Sequence, residues 1–507
     1  MRTNPPAILL VLALARPATT DEQESRGAAA ARTEAVAKLE MASVSVPLPD
    51  GTSAMADHGT LRVPILRADP ASKEIGIDVW RFHALEGAPS GAPPIFQLNG
   101  GPGWPGLDPA AIDWEREILP FVRTADLVIV GQRGIGRSTD TSCAAVLAGA
   151  ERPAPTATLE ERAAFLRKKC GECRAFYEAQ GYDLRGLNVK EAAADVDDVR
   201  RLLGYGKIAL WGGSFGSHWG MAVLRFHGDN VARAVLTGME GPDQTYDMPS
   251  GVLRSLERMA KAAERSPALA GHVPEGGLLA AFAQVIESVE AEPFDVEVDD
   301  PRTGKPATVR FDGDAIRGLA LGYTARVSSR DGMPTWPADL LALCQGDFER
   351  AARARLADGD AIDLPTASFF MLDCGSGITR ARLDELHRDP AAKIVGALGW
   401  FYENTCPAWD SDLGDDFRTG FRTAVPAVIV HGTWDVNTPF DNALELVPLF
   451  ANAHFIPVEG GSHAALTEAL DLVDGFRAQL MEFVATGDTE GLPEELALPE
   501  LRWAAPY

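Results

Sequence analysis

The chain has 507 residues, 46% of them hydrophobic and 23% charged, with 47 basic and 72 acidic residues and a formal net charge of −25. Such a composition excludes a disordered chain, a collagen-like fibre and a coiled coil, and it supplies enough apolar side chains for a large core. A pI near 4.8 speaks against nucleic acid and anionic membrane surfaces as partners, and it suits a cationic ligand such as a peptide with a free amino terminus.

The first segment, residues 1–20, reads as a secretory signal peptide. Arg2 gives a basic start, residues 7–15 are nine small or apolar residues, and Ala13 and Ala15 are small residues suited to cleavage. The run is shorter than the ~20 residues that span a bilayer, and no later stretch reaches that length. The expected location is therefore secreted or periplasmic. Residues 20–40 are polar and alanine-rich, and read as a helix or a flexible lead-in.

From Gly59 the pattern changes. Residues 60–66 and 75–82 alternate and are rich in β-branched side chains, which predicts two antiparallel strands joined by a turn around Asp69-Pro70. Residues 94–98, 126–130, 207–211 and 231–236 are short, nearly continuous apolar runs, as expected of buried parallel strands. Between them, 191–203 repeats apolar residues at helical spacing and stops at Gly204. This alternation predicts an α/β fold with a mostly parallel, doubly wound sheet. Over 245–420 helical patterns dominate, among them 252–263 and 278–289. One β-like stretch, 294–311, turns at 300–304. Strand-like runs return at 427–430 and 454–458. The expected organisation is a core over 41–244, a mostly helical cap insert over 245–420, a second core segment over 421–490 and a C-terminal tail over 491–507.

The cysteines are Cys143, Cys170, Cys173, Cys344, Cys374 and Cys406. Cys170-Gly-Glu-Cys173 is a lone C-x-x-C inside a charged helical pattern. Zinc would need a second pair at ligand spacing. The cysteines read as structural, in disulfides that constrain the unfolded chain.

Gly212-Gly213-Ser214-Phe215-Gly216 stands between a strand and a helical pattern. That is a nucleophile elbow, a turn so tight that the serine takes strained backbone angles and its neighbours must lack bulk. The hydroxyl of Ser214 is then presented at the head of a helix, where backbone N–H groups stabilise an oxyanion. A serine hydroxyl needs a base, and the base an orienting acid. Asp435 follows one buried strand and His463 the next, 28 residues on. Both loops are expected at the C-terminal edge of the sheet, beside Ser214. Glu240 and Asp243 are the alternative acids. His218 reads as a core histidine turned into the sheet face, and His431 and His454 as structural residues at strand ends. Asn99-Gly100-Gly101-Pro102-Gly103 also follows a strand, and the amides of Gly101 and Phe215 are the expected oxyanion hole. This chemistry needs no metal and no organic cofactor.

Asn99 to Gly103, Gly131-Gln-Arg-Gly-Ile-Gly-Arg-Ser138, the Ser214 elbow, Asp435 ahead of Thr438-Pro439, and His463 resemble the prolyl iminopeptidase and secreted tripeptidyl aminopeptidase family of α/β-hydrolases. Gly59-Thr-Leu-Arg-Val-Pro64 and Cys406-Pro-Ala-Trp409 add to the resemblance, which runs over residues 59–485. Asn99 stands where that motif often begins with His, and Gly131 where Asp usually precedes Gln-Arg-Gly. The resemblance implies an α/β-hydrolase fold with an inserted helical cap, Ser214 as nucleophile, Asp435 and His463 as its relay, and release of residues from peptide N termini. Exopeptidases of this type hold the substrate ammonium with cap-borne carboxylates, a role Glu240 would fill by charge-assisted hydrogen bonds. The substrate expected is a peptide or a small ester. A carboxylesterase with the same triad, or a non-catalytic binding protein on the same fold, is the alternative reading.

Overall fold

The computed structural model describes residues 37–48, 51–69, 71–325, 335–357 and 364–506. The signal peptide read from the sequence, most of the alanine-rich segment and Pro70 of the expected turn lie outside them. In chain order the strands are β1 Lys38–Pro47, β2 Ser53–Pro64, β3 Glu74–Phe82, β4 Ile95–Leu98, β5 Leu127–Val130, β6 Ile208–Gly213, β7 Val231–Thr237, β8 Phe294–Asp299, β9 Pro306–Phe311, β10 Ala427–Gly432, β11 Ala453–Glu459 and β12 Leu496–Ala497. The helices that matter below are α1 Leu159–Glu178, α2 Val189–Leu202, α3 Phe215–His227, α4 Pro249–Glu264, α5 Leu278–Ala291, α6 Ala367–Ser376 and α7 Ala465–Leu472.

Ten strands form one sheet in the order β1-β2-β3-β5-β4-β6-β7-β10-β11-β12. The pairings β1–β2, β2–β3 and β3–β5 are antiparallel. From β5 onward every pairing is parallel. The apolar runs fall where a parallel sheet covered on both faces needs them: β5 and β10 are buried throughout. This is the α/β-hydrolase fold. Parallel pairing brings the C-terminal ends of β4, β6, β7, β10 and β11 to one edge, which is why loops distant in sequence meet there.

One apolar core lies against the sheet, built from β-strand residues such as Ile129, Trp211, Val235, Val430 and Val458 with Leu466 and Ala469 of α7 and Phe483 beyond it. A second gathers residues of the segment between β7 and β10, including Leu256 of α4, Phe282 of α5, and Val309 and Phe311 of the β8–β9 hairpin. That segment is mostly helical, with the hairpin expected at 294–311.

Two expectations need correction. Residues 38–40 do not belong to a lead-in helix. They begin β1, which pairs with β2 from Lys38↔Arg62 to Pro47↔Ser53. β1 is an edge strand with much of its surface in solvent, so its sequence lacks the apolar signature of the inner strands. The segment after residue 490 is tied down as well. β12 pairs with β11, and buried Trp503 lies with its ring 5.8 Å from that of Trp434.

Of the C-x-x-C only Cys173 forms a disulfide, so the expectation that all six cysteines are in disulfides holds for four of them. Cys173 bonds Cys143, Cys374 bonds Cys406, and Cys170 and Cys344 are free. A single helical turn separates Cys170 from Cys173 on α1, and the first of them is simply packed: it is buried and its thiol is pushed up to about 12 by burial.

A buried ion cluster braces the strand–helix units. Glu191, Asp195 and Asp198, spaced four and three apart, share one face of α2. Arg133 is fully buried and meets Asp195 through two 2.8 Å bonds, while its Nη1 donates to the carbonyls of Ile65 (2.7 Å) and Gly186. Arg67 donates to Glu191, Asp195 and Asp198 at 2.6–2.7 Å. Burial opposes ionisation of Asp195, but Arg133 and Arg67 outweigh it and hold the carboxyl below its ordinary range.

Glycines mark the closest backbone approaches. A β-carbon on Gly216 would stand 2.0 Å from the Leu98 carbonyl oxygen, and one on Gly212 would stand 2.3 Å from that of Gly216. Gly171, inside α1, would meet nothing within 4 Å. Gly216→Ala is expected to cost at least about 2 kcal/mol through the forced backbone shift. Gly171→Ala is expected to gain about 0.5–1 kcal/mol from helix propensity. Urea unfolding midpoints of the two variants check both signs.

Candidate active site

Ser214 sits between the end of β6 and the start of α3 with φ 56° and ψ −132°. For a residue with a β-carbon this is a strained conformation, of the kind kept only where the surroundings enforce it. The enforcement is visible. The Ser214 amide donates to Thr237 O of β7 at 3.1 Å, and the Ser217 amide donates to Ser214 O at 2.7 Å. The glycines at minus two and plus two admit the tight turn, as the sequence pattern required.

The loop after β4 lies against this turn. A β-carbon on Gly100 would be 3.1 Å from Ser214 Cβ and 3.6 Å from its Oγ. Gln132 holds the loop: its Nε2 donates to Asn99 O (2.9 Å) and Gly100 O (2.8 Å), and its Oε1 accepts from Gly103 N (2.8 Å). The sequence reading quoted the Gln-Arg-Gly motif without seeing this. Gln132 positions the glycine loop, and Arg133 anchors the same turn from the buried ion cluster. The amides of Gly101 and Phe215 have no backbone acceptor among the described residues, so both remain available to a substrate oxygen.

Asp435 follows β10 and His463 follows β11. Asp435 is fully buried, and its Oδ2 lies 2.9 Å from His463 Nδ1. Its remaining lone pairs accept from Asn437 N (2.9 Å), Thr438 N (3.0 Å) and Thr438 Oγ1 (2.9 Å). Burial opposes its charge, but His463 prevails and Asp435 titrates below its ordinary value. His463 is likewise opposed by burial and raised by Asp435. The histidine ring and the serine backbone meet across Gly238, where a β-carbon would be 3.1 Å from His463 Cε1 and 3.2 Å from Ser214 N. Among the described residues the Ser214 hydroxyl itself makes no hydrogen bond to the ring.

The alternative acids lie elsewhere. Asp243 accepts from Thr379 N (2.6 Å) and Thr379 Oγ1 (2.7 Å), a tie to the helical segment. His431 is buried, receives Met239 N at Nδ1 (3.0 Å) and contacts Thr438 O (2.9 Å). His454 contacts Pro493 O at 2.9 Å. His218 does not turn into the sheet. Gly216 and Gly220, one turn apart, form the sheet-facing side of α3, so His218 emerges on another flank. There it contacts Gly241 O (3.1 Å) and Ser376 Oγ of α6 (2.8 Å).

Glu240 is not alone. Asp247, on the chain entering α4, and Asp373, on α6, act on it electrostatically and raise its carboxyl well above the ordinary range, after burial as the largest cause. Burial also pushes Asp373 up to about 7 and Asp247 up to about 8. Asp373 accepts from Tyr402 OH at 2.7 Å, and Asp247 from Asn442 Nδ2 at 3.3 Å. Among the described residues none of the three forms a direct ion pair, though the charges of Arg382 and His463 act against the rise at Asp247. Asp247 and His463 feel each other's charge, and the Glu240 amide bonds Ser217 Oγ, three residues past Ser214. Sequence reasoning found Glu240 and missed the other two. Asp373 left one trace, a lone carboxylate in the apolar run Phe369-Phe370-Met371-Leu372-Asp373-Cys374.

Residues 93–303 match the family model described as alpha/beta hydrolase fold. A tripeptidyl aminopeptidase of Streptomyces coelicolor is 28% identical over 193 residues, 37% of this chain and 35% of that protein. The tripeptidyl aminopeptidase of Streptomyces lividans matches equally, over 36% of its length. The match thus spans about a third of these curated relatives. Among solved structures, an esterase from Exiguobacterium antarcticum is 14% identical with a TM-score of 0.36, covering 81% of this chain and 96% of that one. A thermophilic esterase from Thermogutta terrifontis is 14% identical with a TM-score of 0.34, covering 84% and 99%.

The carboxylates give a pH prediction with a definite sign. An unfolded Asp or Glu titrates near 4, whereas Asp373 and Asp247 titrate near 7 and 8 in the fold. Between pH ~4 and ~8 the folded chain binds more protons than the unfolded one, so stability falls as pH rises. Asp373→Asn is expected to stabilise the protein by about 1–3 kcal/mol at pH 8 and to change little near pH 4. Urea unfolding at the two pH values checks it.

Proposed function

We propose that this α/β hydrolase is a serine aminopeptidase, of prolyl or tripeptidyl type, that cleaves amide bonds near the amino terminus of peptides through an acyl-enzyme. The observation that carries the peptidase reading is the group Glu240, Asp247 and Asp373: buried or half-buried carboxylates that share no direct ion pair among the described residues, with only the more distant charges of Arg382 and His463 acting on Asp247. Burying such charge is costly unless a counter-ion arrives. A substrate ammonium is that counter-ion, and its arrival would return all three groups toward ionisation.

In this reading Ser214 attacks the carbonyl as His463 takes its proton, with Asp435 orienting the ring and stabilising the imidazolium. The amides of Gly101 and Phe215 hold the oxyanion. His463 returns the proton to the leaving amine, and water then repeats the sequence to free the acyl group. Glu240, with Asp373 and Asp247 behind it, binds the free amino terminus and sets how far that terminus lies from the scissile bond. The similarity to tripeptidyl aminopeptidases supports the same reading. The two disulfides support an oxidising, extracellular or periplasmic location.

Fluorogenic prolyl, alanyl and tripeptidyl amides, run beside a short-chain ester, test the proposal. Ser214→Ala is expected to abolish turnover, by about 10⁴-fold or more. Ester cleavage without amide cleavage would make the protein a carboxylesterase.

Glu240→Gln is expected to raise KM for free-amine amides about 10–100-fold, with a much smaller change for an N-blocked ester. An equal loss on both substrates would remove the amine-binding role. For any substrate, kcat/KM is expected to fall on the acid side as His463 gains its proton, at a pH above the ordinary histidine value because Asp435 favours the charged ring.

A further inference from the structure

The residues one turn past the nucleophile are unusually engaged. Ser217 is fully buried. Its Oγ lies 2.8 Å from Ser214 O and 3.2 Å from Gly238 O, and it accepts the Glu240 amide at 3.0 Å. One hydroxyl therefore joins three places: the strained turn, the glycine that separates His463 from Ser214, and the first anchor carboxylate. A serine hydroxyl offers one donor and two acceptor lone pairs, and this one uses both capacities.

His218, the next residue, continues the pattern. It is fully buried and contacts Gly241 O at 3.1 Å and Ser376 Oγ at 2.8 Å. A carbonyl only accepts, so Nδ1 carries the proton toward Gly241 and Nε2 accepts from the Ser376 hydroxyl. Burial lowers the ring to about 4, so it is neutral under ordinary conditions, as that tautomer requires. Ser376 ends α6, and its Oγ also lies 3.0 Å from Leu372 O, the carbonyl preceding Asp373. His218 thus grips the Glu240–Gly241 turn with one nitrogen and the helix carrying Asp373 with the other.

We infer that Ser217 and His218 are positioning residues: a two-residue bracket on the nucleophile's own helix that fixes Glu240 and Asp373 relative to Ser214, and so sets the distance between the bound amino terminus and the scissile bond. The inference rests on the reading of those carboxylates as ammonium anchors. Neither side chain touches the reacting atoms; both act through the backbone they hold. A helix is a rigid element, so a bracket one turn from Ser214 transmits the nucleophile's position to the anchors with little slack.

The test compares kcat/KM for a free-amine peptide amide with that for an N-blocked ester in wild type, Ser217→Ala and His218→Gln. Each value is corrected by a fluorophosphonate that counts reactive Ser214. The bracket predicts that the ratio of the two falls about tenfold in Ser217→Ala, through KM for the amide. Among amides differing in the number of residues ahead of the scissile bond, discrimination is expected to weaken. A merely structural serine would lower both substrates together, and that outcome overturns the inference. A crystal structure of Ser217→Ala supplies a readout independent of turnover. Displacement of the 238–241 turn with Ser214 in place supports the bracket, and an unmoved turn refutes it. If wild type itself shows no preference for a free amine, it is the ammonium-anchor reading that fails. The bracket's tie between Ser214 and the 238–241 turn is still decided by the crystal structure.

Discussion

The structure turns on one strained residue. Ser214 holds a left-handed φ that its β-carbon disfavours, and the cost is met by backbone packed so closely around it that no other turn fits. Gly212 and Gly216 let the strand and helix ends touch, Gly216 against the Leu98 carbonyl at the end of β4. Gly100 lies on the serine's side chain, and Gly238 separates its amide from the His463 ring. Together these glycines belong to three strand–loop units, at or just past the ends of β4, β6 and β7. The parallel sheet delivers those units to one edge, and the glycines let them close on one atom. Strain at the nucleophile is thus the local price of a hydroxyl fixed without a hydrogen bond of its own.

A second constraint opposes the first in sign. The elbow is stabilised by its surroundings, whereas the Glu240, Asp247 and Asp373 group is destabilised by them. Two other buried acids are met by cations: Asp195 by two arginines, and Asp435 by His463 and three further donors. Glu240, Asp247 and Asp373 lack such a direct partner among the described residues, although buried charge is ordinarily paired. Natural proteins keep such violations where function compensates. Under the proposed function, a substrate ammonium would gain both its own contacts and relief of that repulsion.

Much of the site was legible in the sequence because its chemistry is tied to backbone geometry. Gly212 to Gly216 and Asn99 to Gly103 are recognisable since only glycine fits those approaches, and Asp435 and His463 since each follows a buried apolar run. The carboxylate group was legible only at Glu240, which follows a core strand. Asp373 and Asp247 come from the helical segment and the chain leading into it, where no rule of strand order predicts which residue faces the sheet edge. His218 was misplaced for a related reason. Its position on α3 was readable, but which side of that helix met the sheet depended on Gly216 and Gly220 being the close-packing face. β1 was missed because an exposed edge strand carries little apolar periodicity.

Gln132 and Arg133 show how one short motif serves both constraints. Arg133 is spent on the scaffold: it joins β2, the 186 turn and α2 through Ile65, Gly186 and Asp195. Its neighbour Gln132, facing the other way, fastens the carbonyls of Asn99 and Gly100 and the amide of Gly103. Those bonds fix the backbone of a loop that lies against Ser214 at Gly100. The geometry of this glycine loop therefore depends on a glutamine beside a buried arginine, and its role is invisible until the loop is folded. Asn99 and Gly131 depart from the family pattern on either side of this arrangement, yet the hydrogen bonds that orient the loop are made to backbone. The Asn99 side chain takes no part in those bonds; its Oδ1 accepts from Gln97 Nε2 at 3.2 Å instead.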